Sequence, residues 1–252
     1  MSLYLIGLGL HNQKDITLKG LEAVKKCSKV YAESYTSLLD CSFEELESFY
    51  GKKIIVADRA MSEQGDLHII TEAKNNDVAF LVIGDPFSAT THVELFRLAK
   101  EHDVEVKVVH NASILTAVGI VGLQLYKFGR IASIPFIEDH PQLETPYRLL
   151  QQNQYLDMHT LFLLDLKPDE KRFLTVNQAL DILESIEARK QENVVKKSMT
   201  VIGCARIGWD NYLIKAGTID ELRKFDFGPP PHCLIVPAKL HFVEEEMVGL
   251  WK

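Results

Sequence analysis

A carboxylate set directly behind an apolar run is the first feature suited to chemistry: Val78 to Ile83 leads into Gly84-Asp85-Pro86-Phe87-Ser88-Ala89-Thr90-Thr91-His92. The carboxyl ends of strands form the usual ligand crevice of an open α/β sheet. Asp85 there can accept a hydrogen bond from a cationic amine or offset a positive charge on a ligand, while Pro86 fixes the turn. An Asp-Pro turn also forms for purely structural reasons. Gly7-Leu8-Gly9-Leu10 follows the first apolar run and permits close backbone approach, although Asn12 breaks the GxGxxG dinucleotide fingerprint and a plain tight turn explains it equally well. Asn111-Ala112-Ser113-Ile114 marks a further transition to helix, where Ser113 can cap and free backbone groups can meet a ligand. Leu164 closes an apolar run just before Asp165, and Ala205 lies in a small-residue turn, Cys204 to Gly208, against which a flat ring can rest. His232 stands behind Pro229-Pro230-Pro231, a stiff run that holds an imidazole able to donate, accept, or act as acid or base near neutral pH. Core packing and simple turns are the alternative readings for these last three.

The elements that position these residues alternate. Apolar runs at Leu3 to Ile6, Lys53 to Ala57, Val78 to Ile83, Glu105 to Val109, Thr160 to Asp165, Met199 to Cys204 and Cys233 to Val236 predict buried strands. Capping-box spacings at Ser42 with Glu45, Thr91 with Glu94 and Thr175 with Gln178 predict helix starts between them, as does Thr145 before Pro146. An apolar helix is expected over Ile114 to Leu125. Alternation of this kind predicts an α/β protein, divided into residues 1–112 and 113–252.

A length of 252 residues with 46% hydrophobic and 25% charged side chains describes an ordinary folded chain. The net charge of −7 makes nucleic acid an unlikely target by simple charge attraction. Cys27, Cys41, Cys204 and Cys233 are scattered, without a CxxC pair or zinc-ligand spacing, and no metal site is expected. The sequence contains no Walker loop, HExxH or GxSxG. The apolar start MSLYLIGLGL is short and lacks a basic flank, so it reads as a first strand; no membrane span and a cytoplasmic location are expected.

Taken in order, LYLIGLGL with DITLKGLE, GDPFSATTH, HNASI, AVGIVGLQLYKFG, MHTLFLLDLK, ARIG and PPPHCLIVPAKLH resemble the diphthine synthase family over nearly the whole chain. The resemblance implies a class III, tetrapyrrole-methylase-like fold, with two α/β domains and S-adenosylmethionine held in the cleft between them. It also implies a homodimer and a protein substrate, translation elongation factor 2, methylated on a 3-amino-3-carboxypropyl histidine during diphthamide biosynthesis. Carried over position by position, it places the cofactor and its product S-adenosylhomocysteine against Leu10, Asp85, Ser88, Ser113, Ile114, Leu164, Ala205 and His232. Many relatives carry Gly where this chain has Ser88. HNASI, GDPF and GLQLYKFG look more like eukaryotic relatives and favour the form that adds four methyl groups; the short segment after LLDLK is shared with the archaeal, three-methyl form. Tetrapyrrole methylation and a noncatalytic cofactor-binding scaffold are the alternatives.

Overall fold

A computed structural model describes residues 1–57, 66–89 and 92–252. The chain divides into two compact units, Met1–Ala117 with Gly208–Asp210, and Val118–Ile207 with Asn211–Lys252.

In unit 1 the strands β1 (Ser2–Gly7), β2 (Lys29–Glu33), β3 (Ile55–Ala57), β4 (Val78–Val82) and β5 (Glu105–Val109) form one sheet in the order β3-β2-β4-β1-β5. Every pairing is parallel. Every residue of β4 is buried because both faces of the sheet are covered. Side chains alternate between the faces: Leu3, Leu5, Phe80 and Val82 pack on one side with Ile69, Ile70, Leu95 and Ala99. Ile6, Ala79 and Leu81 pack on the other with Val24, Leu46 and Tyr50. These partners come from the helices α3 (Asp66–Asn75) and α4 (Val93–Glu101) on the first face, and α1 (Leu18–Lys26) and α2 (Phe43–Tyr50) on the second.

In unit 2, β6 (Ala132–Ile134), β7 (Thr160–Leu164), β10 (Thr200–Ala205), β11 (Leu213–Thr218) and β12 (His232–Val236) form a mixed sheet in the order β11-β10-β12-β7-β6. β12 runs antiparallel to both β7 and β10. A two-stranded hairpin, β8 (Leu166–Lys167) with β9 (Arg172–Phe173), follows β7. The core gathers Phe162, Leu234 and Phe227 with Leu150 of α6 (Thr145–Tyr155) and Leu180 and Leu183 of α7 (Val176–Lys190).

The capping boxes at Ser42 and Thr175 form with both reciprocal bonds, and Pro146 takes a first-turn position in α6. The expected pairing of Thr91 with Glu94 lies outside the described residues. The helix expected over Ile114 to Leu125 is corrected: α5 is a single turn, Ile114–Ala117, followed by 3-10 turns at Val118–Val121 and Leu125–Lys127. Gly119 and Gly122, set among β-branched Val118, Ile120 and Val121, remove the propensity a long α-helix needs. α5 groups with unit 1, five residues beyond the division expected at residue 112.

Candidate active site

Parallel strands put their carboxyl ends on one edge, so the loops after β1, β4 and β5 are neighbours in unit 1. Gly9 and Gly84 form a β-bridge between the first two, with Gly84 N–H donating to Gly9 O at 2.7 Å. Gly7 is held to glycine by space: a Cβ there would lie 2.5 Å from Gly84 O. Asn111 joins the third loop, since its Nδ2 donates to Gly7 O and to Asp15 O, both at 3.0 Å. Leu10 Cδ2, Ser113 Cα and Ala112 O stand between 3.8 and 4.0 Å from the position a Cβ on Gly84 would occupy. Leu10, Asp85, Ser88, Ser113 and Ile114 therefore share one edge of this unit.

Leu10 is fixed through its backbone. Asp15 Oδ2 accepts from Leu10 N–H at 3.2 Å and His11 N–H at 2.8 Å, and Trp209 Nε1 donates to Leu10 O at 2.7 Å. The Trp209 indole also stacks on His11, with ring centroids 5.8 Å apart.

Asp85 is 7% exposed and accepts from four donors. Phe87 N–H (3.0 Å) and Ser88 Oγ (3.3 Å) reach Oδ1, while His110 Nδ1 (2.7 Å) and Asn111 N–H (3.2 Å) reach Oδ2. Burial pushes the carboxyl upward, but the N–H groups of Phe87, His110 and Asn111 outweigh it and hold Asp85 below the usual carboxylate range. With roughly four lone-pair positions engaged, what Asp85 offers a ligand is negative charge rather than another hydrogen bond. Ser88 turns its hydroxyl to this carboxylate. Ser113 is buried, and its carbonyl accepts from Thr116 and Ala117 N–H; its hydroxyl makes no capping bond among the described residues.

Leu164, Ala205 and His232 share one end of the unit 2 sheet. Ala205 and His232 are register partners across β10 and β12, and Cys233 pairs with Leu163 across β12 and β7. His232 is the first residue of β12 rather than a loop residue. Its Nε2 donates to Gly228 O and Pro229 O, each at 3.1 Å, and Nδ1 accepts from Val176 N–H at 3.4 Å. Burial lowers its basicity against the pull of those carbonyls, so the ring is neutral and both nitrogens are engaged. Arg206, with a left-handed φ of 53°, ties the same end to Phe227 O and Asn211 O.

Residues that spacing did not single out include Asp15, His110 and Arg206, and Asn111 reads only as part of a helix start. Their roles depend on bonds across long sequence separations, such as Asn111 to Gly7, and the local signals near them are the motifs DITLKGLE, HNASI and ARIG.

The backbone-lined loops of unit 1, with a fixed carboxylate at Asp85, fit a cationic sulfonium donor. No group of three or more potential metal ligands occurs among the described residues.

The family model for tetrapyrrole (corrin/porphyrin) methylases matches residues 2–223. Diphthine methyl ester synthase of Dictyostelium discoideum is 46% identical, with 98% of this chain and 96% of that protein covered. Diphthine synthase of Methanocaldococcus jannaschii is 45% identical, with coverage of 97% and 96%. A crystal structure of diphthine synthase superposes with a TM-score of 0.91 at 38% identity, covering 100% of this chain and 96% of that one. The two-unit α/β architecture, the methylase family match and these full-length relatives together show that the chain belongs to the diphthine (methyl ester) synthases, methyltransferases of diphthamide biosynthesis within the tetrapyrrole methylase family.

Proposed function

We propose that the enzyme takes methyl groups from S-adenosylmethionine, releasing S-adenosylhomocysteine, and places them on the 3-amino-3-carboxypropyl histidine of elongation factor 2. The observation that carries this reading is the gathering of Leu10, Asp85 and Ser113 around Gly84, in a chain whose full-length relatives are diphthine synthases. Leu10, Asp85, Ser88, Ser113 and Ile114 of unit 1 are the proposed cofactor contacts there, and Leu164, Ala205 and His232 are those of unit 2.

When bound, S-adenosylmethionine supplies an electrophilic methyl group on a positively charged sulfur. The fixed carboxylate of Asp85 offsets that charge, and the backbone of the glycine-lined loops admits the ligand closely. Methyl transfer needs a nucleophile in line with the breaking bond, so positioning supplies most of the rate. His232 contributes its ring face and backbone, because its nitrogens already hold the Gly228-Pro229 turn.

The proposed product carries four methyl groups, three on nitrogen and one as an ester, in keeping with GDPF, HNASI and GLQLYKFG. Both named subfamilies lie at nearly equal identity, so the sequence motifs rather than the percentages support this choice. A homodimer in the cytoplasm is the proposed working form; no helix among the described residues is long and apolar enough to cross a membrane. Mass spectrometry of unmethylated but otherwise modified elongation factor 2, after incubation with the enzyme and cofactor, tests the reading. A gain of four methyls with one lost in mild base is expected. A gain of three marks the three-methyl form, and no gain overturns the assignment.

A further inference from the structure

We propose that His110 is the proton acceptor for the substrate amine, a role that rests on the methyl-transfer reading above. His110 follows β5 on the same edge as Gly84 and Ser113, and its side chain is 69% exposed. Asp85, held as a carboxylate, can only accept, so His110 Nδ1 must carry the hydrogen of their 2.7 Å bond. That fixes the tautomer and leaves the Nε2 lone pair outward, without a hydrogen-bond partner among the described residues. The Phe87 ring, 6.2 Å away between centroids, flanks the imidazole. A carboxylate that orients an imidazole in this way is the arrangement by which general bases are held in one tautomer. Among the described residues Asp85 is the one charged group in contact with His110; Lys107 of the same strand is held by Glu105 and Tyr4. The other histidines on these loops are not equivalent: His11 Nε2 faces Asp40 and its Nδ1 faces Asn12, and His92 is buried with its Nε2 beside Glu33.

An α-amino group has a reference pKa of about 8, and a neighbouring carboxylate raises it, so at pH 7 no more than about a tenth is neutral. In each N-methylation one N–H bond breaks, its proton passes to His110 Nε2, and the electron pair stays on nitrogen. That pair forms the new C–N bond as the methyl carbon separates from sulfur, whose positive charge is neutralised by the released bond electrons. The proton on His110 then passes to water. Methylation of the carboxylate needs no such step, since its oxygen is already anionic.

His110→Asn tests the role, because the amide N–H of Asn can still reach Asp85 while Nε2 is deleted. The full chain, S-adenosylmethionine and elongation factor 2 bearing the unmethylated side chain are combined between about pH 6 and about pH 9.5, and N-methylation is followed by mass spectrometry. We expect a loss of about tenfold or more at pH 7 that shrinks to under about twofold once the pH is high enough for the ammonium to lose its proton by itself. Added imidazole restores His110→Ala, and calorimetry finds cofactor affinity unchanged in His110→Asn. A His110→Asn enzyme with the wild-type pH profile, or one slowed equally at every pH, overturns the role. Wild-type enzyme that adds no methyl overturns the substrate reading and the proposal with it.

Discussion

Asn111 Nδ2 lies 3.0 Å from Gly7 O, across more than a hundred residues of sequence, and the same amide donates to Asp15 O. One side chain thus fastens the loop after β5 to the loop after β1, and its Oδ1 also accepts from Ala112 N–H at 2.8 Å. Asn111→Ala leaves those backbone acceptors without their donor and frees the loop that carries Ser113. The expected cost is about 1–3 kcal/mol of stability, with weaker S-adenosylmethionine binding. Urea denaturation and calorimetry check both; unchanged cofactor affinity would show that the fastening does not serve the site.

Gly208 has a left-handed φ of 96°, and a Cβ there would lie 2.6 Å from Leu10 Cβ. Two costs are therefore expected of Gly208→Ala: backbone strain of about 1–2 kcal/mol and displacement of Leu10. Gly51→Ala separates them, since Gly51 is also left-handed, at 68°, with nothing within 4 Å of its added Cβ. Both variants should lose stability in denaturant. Only Gly208→Ala should lose cofactor affinity, and equal affinities would mean that Leu10 has room to yield.

Of the strands that carry the proposed cofactor loops, β4 was legible because it reads VAFLV, a run buried on both faces. β2 was not, because its KVYAE sequence ends in a charged residue; the structure buries Glu33 with its carboxylate on Ile83 N–H, a partner fifty residues away. β11 reads LIKAGT, half-buried and without a continuous apolar run, and β6 is three residues long. At the site, Asp85 announced itself by its turn. The other half of its environment, His110 and Asn111, is supplied from a different strand and leaves no local spacing to read.

In unit 2 a buried histidine and glutamate tie the C-terminal helix α8 (Phe242–Gly249) to the start of β7. His159 Nδ1 accepts from Ala238 N–H at 2.9 Å, so its Nε2 carries the hydrogen donated to Glu244 Oε1 at 3.0 Å. Glu244 also accepts from Gln124 N–H at 2.9 Å and His241 N–H at 2.8 Å. Burial opposes its ionisation, but those donors prevail and hold the carboxyl below its ordinary value; burial likewise keeps His159 neutral. Glu244→Ala strands three neutral donors, each left unsatisfied at a cost of about 1–3 kcal/mol. A carboxyl with a depressed folded pKa stabilises above the unfolded value, near pH 4.3, and that contribution disappears as the pH falls through the folded value. Denaturation of wild type and Glu244→Gln on both sides of that pH measures it: the wild-type advantage should fade in acid, and a constant difference would refute the ionised state.

Glu33 and His92 oppose each other in their response to pH. Glu33 Oε2 lies 3.4 Å from His92 Nε2, and both side chains are buried. Burial pushes the Glu33 carboxyl up to about 7, against the bonds from Thr36 and Ile83 N–H, and burial pushes the His92 imidazole down to about 4. A raised carboxyl stabilises fully below its unfolded value and loses that contribution as the pH rises through its folded value, here from about pH 4.3 to about pH 7. A depressed imidazole does the reverse: its contribution is complete above about pH 6.5 and is lost as the pH falls through about 4. Over the shared window the slopes cancel, and wild type should show little pH dependence from this pair. Glu33→Gln removes the carboxyl alone. Its stability relative to wild type should therefore rise by about 3 kcal/mol between pH 4.5 and pH 7.5, since each pKa unit is worth about 1.4 kcal/mol. Urea midpoints at those two pH values decide the matter, and a relative stability that stays flat would place Glu33 among ordinary ionised carboxylates.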